Sequence, residues 1–200
     1  MSKTVAPFSE FTPGIYIAYG ANLPHDGLNP LQALHRVVKR LCQSGIKVTQ
    51  ISSLWRSQAW PNSEYPPYHN AVFAVTTTLE AGFLLKRLHE LEGEAGRVRG
   101  AESNAPRVLD LDLIAYGDMV GEGDLVLPHP RAHERGFVMG PLAEIAPDWR
   151  HPVLGVTARE LFTRVTVGVD AYPAEDASGL LIDQSDVRKS VSGFPPQHRD

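Results

Sequence analysis

The sequence predicts an α+β sandwich built on a βαββαβ order with additional C-terminal helices, and three observations carry that expectation. Four segments, 14–20, 46–56, 69–78 and 109–116, are rich in β-branched or aromatic residues or alternate apolar with polar residues, as strands do. Two segments, after Asn29 and from Leu79, instead repeat their leucines and valines every three to four residues, the period of a helix packed on one side. Their order along the chain is strand, helix, strand, strand, helix, strand, which is the ferredoxin-like pattern with the first and third strands central.

Each element has a local reason. Residues 1–13 are polar with two prolines and read as a flexible arm. Gly14–Gly20 is a short strand, and Ala21–Gly27 is a loop. Asn29 is placed as an N-cap with Pro30 in the first turn, a combination suited to a helix start. Leu31, Leu34, Val37, Val38 and Leu41 form the apolar stripe of that helix, and Gly45 is placed to end it. Ile46–Arg56 reads as one strand. Ser57–Pro67 is a loop holding Pro61, Pro66, Pro67 and two exposed-looking aromatics, Trp60 and Tyr65. His69–Thr78 is the next strand. Leu79–Glu92 is a helix through Leu84, Leu85, Leu88 and Leu91, and Gly93–Ala105 is a charged loop. Leu109–Tyr116 is the last strand of the pattern. Arg135–Ile145 reads as a helix that Pro141 should end or kink. Thr157 to Glu160 has the form of a capping box before a short helix. From Gly168 the periodicity fades, so 168–200 reads as a weakly ordered tail behind a single domain over 14–167.

Composition narrows the function. The 200 residues suffice for one domain with a sizeable core. A net charge of −4 argues against general nucleic-acid binding, which leaves a basic footprint. The single cysteine, Cys42, excludes an intrachain disulfide and a thiolate metal cluster. The first twenty residues have no signal-peptide pattern, and no apolar run approaches the length of a membrane span. The expectation is a cytoplasmic protein, monomeric by default, with no nucleic acid or membrane partner.

The unusual chemistry lies between positions 97 and 135. Leu109, Leu111 and Leu113 alternate with Asp110, Asp112 and Ile114, so both aspartates share one strand face. At a rise of about 3.3 Å per residue they stand about 6–7 Å apart at the backbone. Two carboxylates that close repel by roughly 2–3 kcal/mol at an effective dielectric near 20, unless water or cations intervene. Oxygen-only ligands favour a hard ion such as Mg²⁺. Arg97, Arg99, Arg107, Arg131 and Arg135 surround the pair in sequence, and magnesium among arginines suggests a polyphosphate. Taken alone, the aspartates are better explained as a solvated acidic strand face. An EF-hand does not, because the loop lacks the central Gly and terminal Glu. His129 and His133 are four apart, but Pro130 and the missing HExxH pattern argue against zinc.

Several motifs occur together and in a characteristic order: Gly20-Ala21-Asn22-Leu23, Pro67-Tyr68-His69-Asn70-Ala71, Gly96-Arg97-Val98-Arg99, Pro106-Arg107-Val108-Leu109-Asp110-Leu111-Asp112-Leu113, Leu127-Pro128-His129-Pro130, and Arg135-Gly136-Phe137-Val138 leading to Pro141-Leu142-Ala143-Glu144-Ile145-Ala146-Pro147. Over roughly residues 14–165 the chain resembles the 2-amino-4-hydroxy-6-hydroxymethyldihydropteridine pyrophosphokinases, enzymes of folate biosynthesis. The resemblance implies transfer of the β,γ-pyrophosphoryl group of ATP to the hydroxymethyl oxygen of 6-hydroxymethyl-7,8-dihydropterin, giving AMP and the pterin pyrophosphate. It implies two Mg²⁺ ions held by Asp110 and Asp112, with Arg97 and Arg107 stabilising the transferred group. It places His89, Glu92, Arg99, His129 and Arg135 on ATP. Tyr68 and Phe137 match an aromatic pair enclosing the pterin, Asn70 matches its edge reader, and Ser57 and Trp60 frame the ring. Asn22 is expected to stabilise a turn. The chain departs from the family pattern in two places: Ser57-Gln58 stands where many members have Thr-Pro, and Asn104 aligns where some carry a loop tryptophan. A ferredoxin-like nucleic-acid-binding module would need a basic aromatic strand that is absent. A Mg²⁺-dependent phosphodiesterase would release phosphate or nucleotide without a pterin.

Overall fold

The computed structural model describes residues 14–24, 26–96 and 106–174. The chain forms β1 (Ile15–Ala21), α1 (Pro30–Gln43), β2 (Lys47–Ile51), β3 (Trp55–Ser57), β4 (Tyr68–Thr76), α2 (Ala81–Glu94), β5 (Asp110–Tyr116), a 3₁₀ turn (Ala132–Glu134), α3 (Gly136–Ile145), α4 (Ala158–Phe162) and β6 (Tyr172–Pro173). The strands make one sheet in the order β5-β1-β4-β3-β6, with β2 also paired to β4. All its pairings are antiparallel. The first strand and the Tyr68–Thr76 strand are central, as expected. No helix among the described residues is long and apolar enough to cross a membrane.

The alternation in the strands sends two sets of side chains to two cores. Ile15, Ile17, Tyr19, Phe73, Val75, Leu111 and Leu113 pack beneath α1 and α2, against Leu34, Leu41, Leu84 and Leu88. Ala18, Val72 and Ile114 point the other way and are covered by Val138, Met139 and Leu142 of α3 and by α4. Helix α1 is fixed at both ends by the signals in its sequence. The Asn29 side chain accepts from the Gln32 N–H while Gln32 reaches back to the Asn29 N–H. At the far end Gly45 takes a φ of +76°, so that the Gly45 and Ile46 N–H groups close onto the Cys42 and Leu41 carbonyls.

One expectation about the elements needs correction and another is narrowed. The segment 46–56 is two strands rather than one. Ser52 turns aside there, and its hydroxyl takes the Val72 N–H at 3.0 Å, where a regular strand would offer a carbonyl. The Ser53 N–H and hydroxyl turn to Glu144 of α3, both at 2.7 Å. Pro141 does not end α3, which runs on to Ile145. Burial of Val138, Met139 and Leu142 on both sides of it offsets the hydrogen bond that proline cannot make. Beyond position 167 the chain still packs on the sheet. Residues 168–174 reach β3, where β6 pairs with Trp55 and Arg56 and the Ala174 N–H donates to the Leu54 carbonyl at 2.8 Å.

Gly140 is a close packing point between α3 and the sheet. A Cβ there would lie 2.5 Å from the Trp55 ring and 3.0 Å from Phe162. Trp55 has little room to yield, since its Nε1–H donates to Glu144 at 2.9 Å and its ring stands edge-on to Phe162. Gly140→Ala should gain about 1 kcal/mol of helix propensity and lose about 1–3 kcal/mol to overpacking. The expected result is a lower urea midpoint; a midpoint at or above wild type would show that Trp55 moves freely.

Candidate active site

At one end of the α3 face the covering helix stops, and the sheet carries polar residues instead of a core. Register places Gly20 of β1 between Asn70 of β4 and Asp110 of β5, and Ala18 beside Asp112. Gly20 keeps this floor low: a Cβ there would meet the Asn70 side chain at 3.6 Å, Asp110 at 3.8 Å and Tyr68 at 3.9 Å. The strand alternation therefore delivers both aspartates to one face. Their side chains are 23% and 37% exposed, reachable by an ion or ligand yet fixed by neighbours.

Basic side chains flank each aspartate. Arg107 Nη1 donates to Asp110 Oδ2 at 2.9 Å. Asp112 Oδ2 stands 4.0 Å from both Arg135 Nη1 and His129 Nε2. Burial pulls the Arg107 guanidinium down, but Asp110 and Tyr68 outweigh it and raise it overall. Arg135 ends below the ordinary arginine value because burial, aided by repulsion from Arg131 and Arg107, exceeds the pull of Asp112 and Asp110. A cation in that position is poised for a further anion. His129 is likewise lowered, first by burial and then by Arg135, against Asp112. Its Nδ1 accepts the Arg131 N–H at 3.2 Å, which leaves Nε2 facing Asp112.

The expected ring-binding residues lie around the same floor. Asn70 is 4% exposed, and its Nδ2 donates to the buried Ser57 Oγ at 3.0 Å, which fixes the orientation of the amide. Phe137, in the first turn of α3, has the Arg135 guanidinium 5.7 Å from its ring centroid. Trp60 is half exposed, with Arg131 5.8 Å over its ring. Arg131 thus connects the tryptophan to His129. Arg97 and Arg99, and the aligned Asn104, lie outside the described residues.

Two residues do more than their sequence suggests. Asn22 joins three loops: its N–H and that of Leu23 donate to the Arg107 carbonyl, its Oδ1 accepts the Arg107 N–H at 2.8 Å, and its Nδ2 donates to the Pro66 carbonyl at 3.0 Å. It is more than a turn residue, because it sets the backbone from which Arg107 projects. Glu92 is 1% exposed, and its Oε1 accepts the Leu111 N–H at 2.8 Å. That amide lies on the sheet-edge strand between the two aspartates. His89 stands one turn earlier on the same helix. Glu92→Ala should leave the Leu111 N–H unsatisfied and lower stability by about 1–3 kcal/mol, while Glu92→Gln keeps an acceptor. Denaturant midpoints in the order wild type, Gln, Ala test this; an unchanged Ala midpoint would refute it.

Among the described residues no group of three or more His, Cys, Asp or Glu forms a self-sufficient metal cage. Two carboxylates fit Mg²⁺ nonetheless, because that ion usually keeps waters and substrate phosphates as its remaining ligands.

Residues 16–147 match the model of the 7,8-dihydro-6-hydroxymethylpterin-pyrophosphokinase (HPPK) family, a span that holds every element of this site. The chain belongs to the HPPK family. It is 38% identical over 135 residues to the 2-amino-4-hydroxy-6-hydroxymethyldihydropteridine pyrophosphokinase of Haemophilus influenzae, covering 66% of this chain and 81% of that one. It is 35% identical over 152 residues to the folic acid synthesis protein fol1 of Pneumocystis carinii, covering 76% of this chain but only 20% of that protein's length. The crystal structure of wild-type Plasmodium falciparum HPPK-DHPS shares the fold, with a TM-score of 0.57 at 12% identity, over 78% of this chain and 45% of that one.

Proposed function

We propose that this chain transfers the pyrophosphoryl group of ATP to 6-hydroxymethyl-7,8-dihydropterin, a step of folate biosynthesis. The pterin hydroxymethyl oxygen forms a bond to the β-phosphorus as the bond from that phosphorus to the α-phosphate bridging oxygen breaks. AMP leaves, and the hydroxyl proton is lost. The observation that carries this reading is the pair of partly exposed aspartates on one strand face, flanked by Arg107 and Arg135 within the family span.

Asp110 and Asp112 would hold two Mg²⁺ ions, which when bound neutralise phosphate charge and acidify the acceptor hydroxyl. Arg107, with Arg97, grips phosphoryl oxygens as charge builds on them; its planar fork can take two at once. Arg135, Arg99, His129 and His89 orient ATP, and Glu92 supports that side by holding β5 at Leu111. Tyr68 and Phe137 offer flat faces for the pterin ring, and Asn70, oriented by Ser57, addresses its edge. Trp60 frames the entrance. Holding the two substrates in line accounts for a large part of the rate, as in other phosphoryl transfers. The same reading takes the sheet and its helices as a ferredoxin-like sandwich and the protein as a cytoplasmic monomer.

Incubation with Mg²⁺, ATP and 6-hydroxymethyl-7,8-dihydropterin should give AMP only when the pterin is present. Pterin-independent release of ADP or phosphate would reject the proposal in favour of a phosphodiesterase-like activity.

A further inference from the structure

Residues 166–174 lie beyond the span that matches the family, yet they bind both sides of the candidate pterin pocket. On the α3 side, the Thr166 and Val167 N–H groups both donate to the Glu134 carbonyl at 3.0 Å, and the Gly136 N–H donates to the Val167 carbonyl at 2.7 Å. Gly168 follows with a φ of +63°, and a Cβ on it would overlap the Phe137 ring. The ring therefore rests directly on the Gly168 backbone. No other residue type fits there, because any side chain would meet both the ring and the left-handed backbone penalty. On the β3 side, Asp170 Oδ2 accepts the Gln58 N–H at 2.6 Å. That amide is one residue from Ser57, which orients Asn70, and two from Trp60. Beyond it, β6 pairs with Trp55 and Arg56, and Ala174 closes onto Leu54.

We infer that 166–174 is a strap that sets the two walls of the pterin pocket, with Gly168 and Asp170 as positioning residues for the aromatic substrate. The inference rests on the function proposed above. The strap touches Phe137 on one wall and the start of the Trp60 loop on the other. The Thr166, Val167 and Gly136 bonds flank Arg135, whereas the Asp170 contact falls on the Trp60 side of the site. The loss of the Asp170 contact should therefore fall on pterin affinity and spare the nucleotide. The Asp170–Gln58 bond is the cleaner handle, because it is a single charge-assisted contact at the surface and its loss leaves the core untouched.

Asp170→Ala in the full chain should raise the KM for 6-hydroxymethyl-7,8-dihydropterin by roughly 5- to 10-fold, the equivalent of one lost charge-assisted hydrogen bond. The KM for ATP and kcat should stay within about 2-fold, since a loss of binding shared equally by ground state and transition state changes only the affinity for one substrate. Asp170→Asn keeps an acceptor oxygen and should recover most of the pterin affinity; it also serves if the alanine variant fails to fold. Gly168→Ala should raise the pterin KM by displacing Phe137. An Asp170→Ala protein with wild-type pterin KM overturns the strap alone, as does one in which both KM values rise together while kcat falls. A wild-type chain that makes no pterin-dependent AMP overturns the parent proposal, and the strap with it.

Discussion

Asp112→Asn is expected to reduce pyrophosphoryl transfer by about 10³ or more while leaving the fold intact, because it removes one of two carboxylates facing the phosphate site. The substitution preserves shape and deletes only charge. Its structural cost is small: Asp112 stands 4.0 Å from Arg135 and from His129, and its side chain is 37% exposed. A pair of that kind contributes about 0–1 kcal/mol. The functional cost is large, since this face pairs only two carboxylates for a hard cation among the described residues, and one of them is then neutral. Thermal unfolding should barely move, calorimetry should show weakened Mg²⁺–ATP binding, and AMP formation should fall. Unchanged Mg²⁺–ATP affinity with near-normal turnover would remove Asp112 from the site.

The part of this site that was legible in the sequence is the part encoded by period. Leucines at 109, 111 and 113 and aspartates at 110 and 112 can satisfy a buried face only as a strand, and that fixes where the carboxylates point. The helix caps at Asn29, Gly45 and Thr157 were legible for the same reason: each is a local hydrogen-bond arrangement that short sequence already specifies. What escaped is tertiary. The break at Ser52 depends on the Val72 N–H and on Glu144, which is 91 residues away from Ser53. The persistence of α3 through Pro141 depends on the two sides it buries. Glu92 is expected on ATP, but it is buried and its carboxylate is engaged by the edge amide of Leu111 that β5 places beside it. β6 is two residues long, too short for any period, so the strap resembled the beginning of a tail. Asn22 shows the intermediate case: its turn was legible, but its bonds to Arg107 and Pro66, 85 and 44 residues distant, were not.

Arg107→Ala is the second large expected effect, a fall in kcat of about 10²–10³, comparable to the loss of one oxyanion-hole donor. The fold should survive, because Asn22 holds the Arg107 backbone through both its N–H and its carbonyl, and neither bond involves the guanidinium. The lost side chain also bonds Asp110 at 2.9 Å, so the variant changes two things: a cation is missing from the phosphate site, and Asp110 loses one positional restraint. Arg107→Lys separates them. Lysine returns the charge but not the fork that can grip two oxygens while its other edge holds a carboxylate, so it should recover about 10-fold and no more. A full recovery by lysine would reduce the role to charge alone. The division between constants carries further information. A fall in kcat with little change in the KM for ATP means that the guanidinium acts on charge developing in the transition state, whereas a raised KM at constant kcat would make Arg107 a ground-state anchor for ATP and transfer the catalytic role to another arginine.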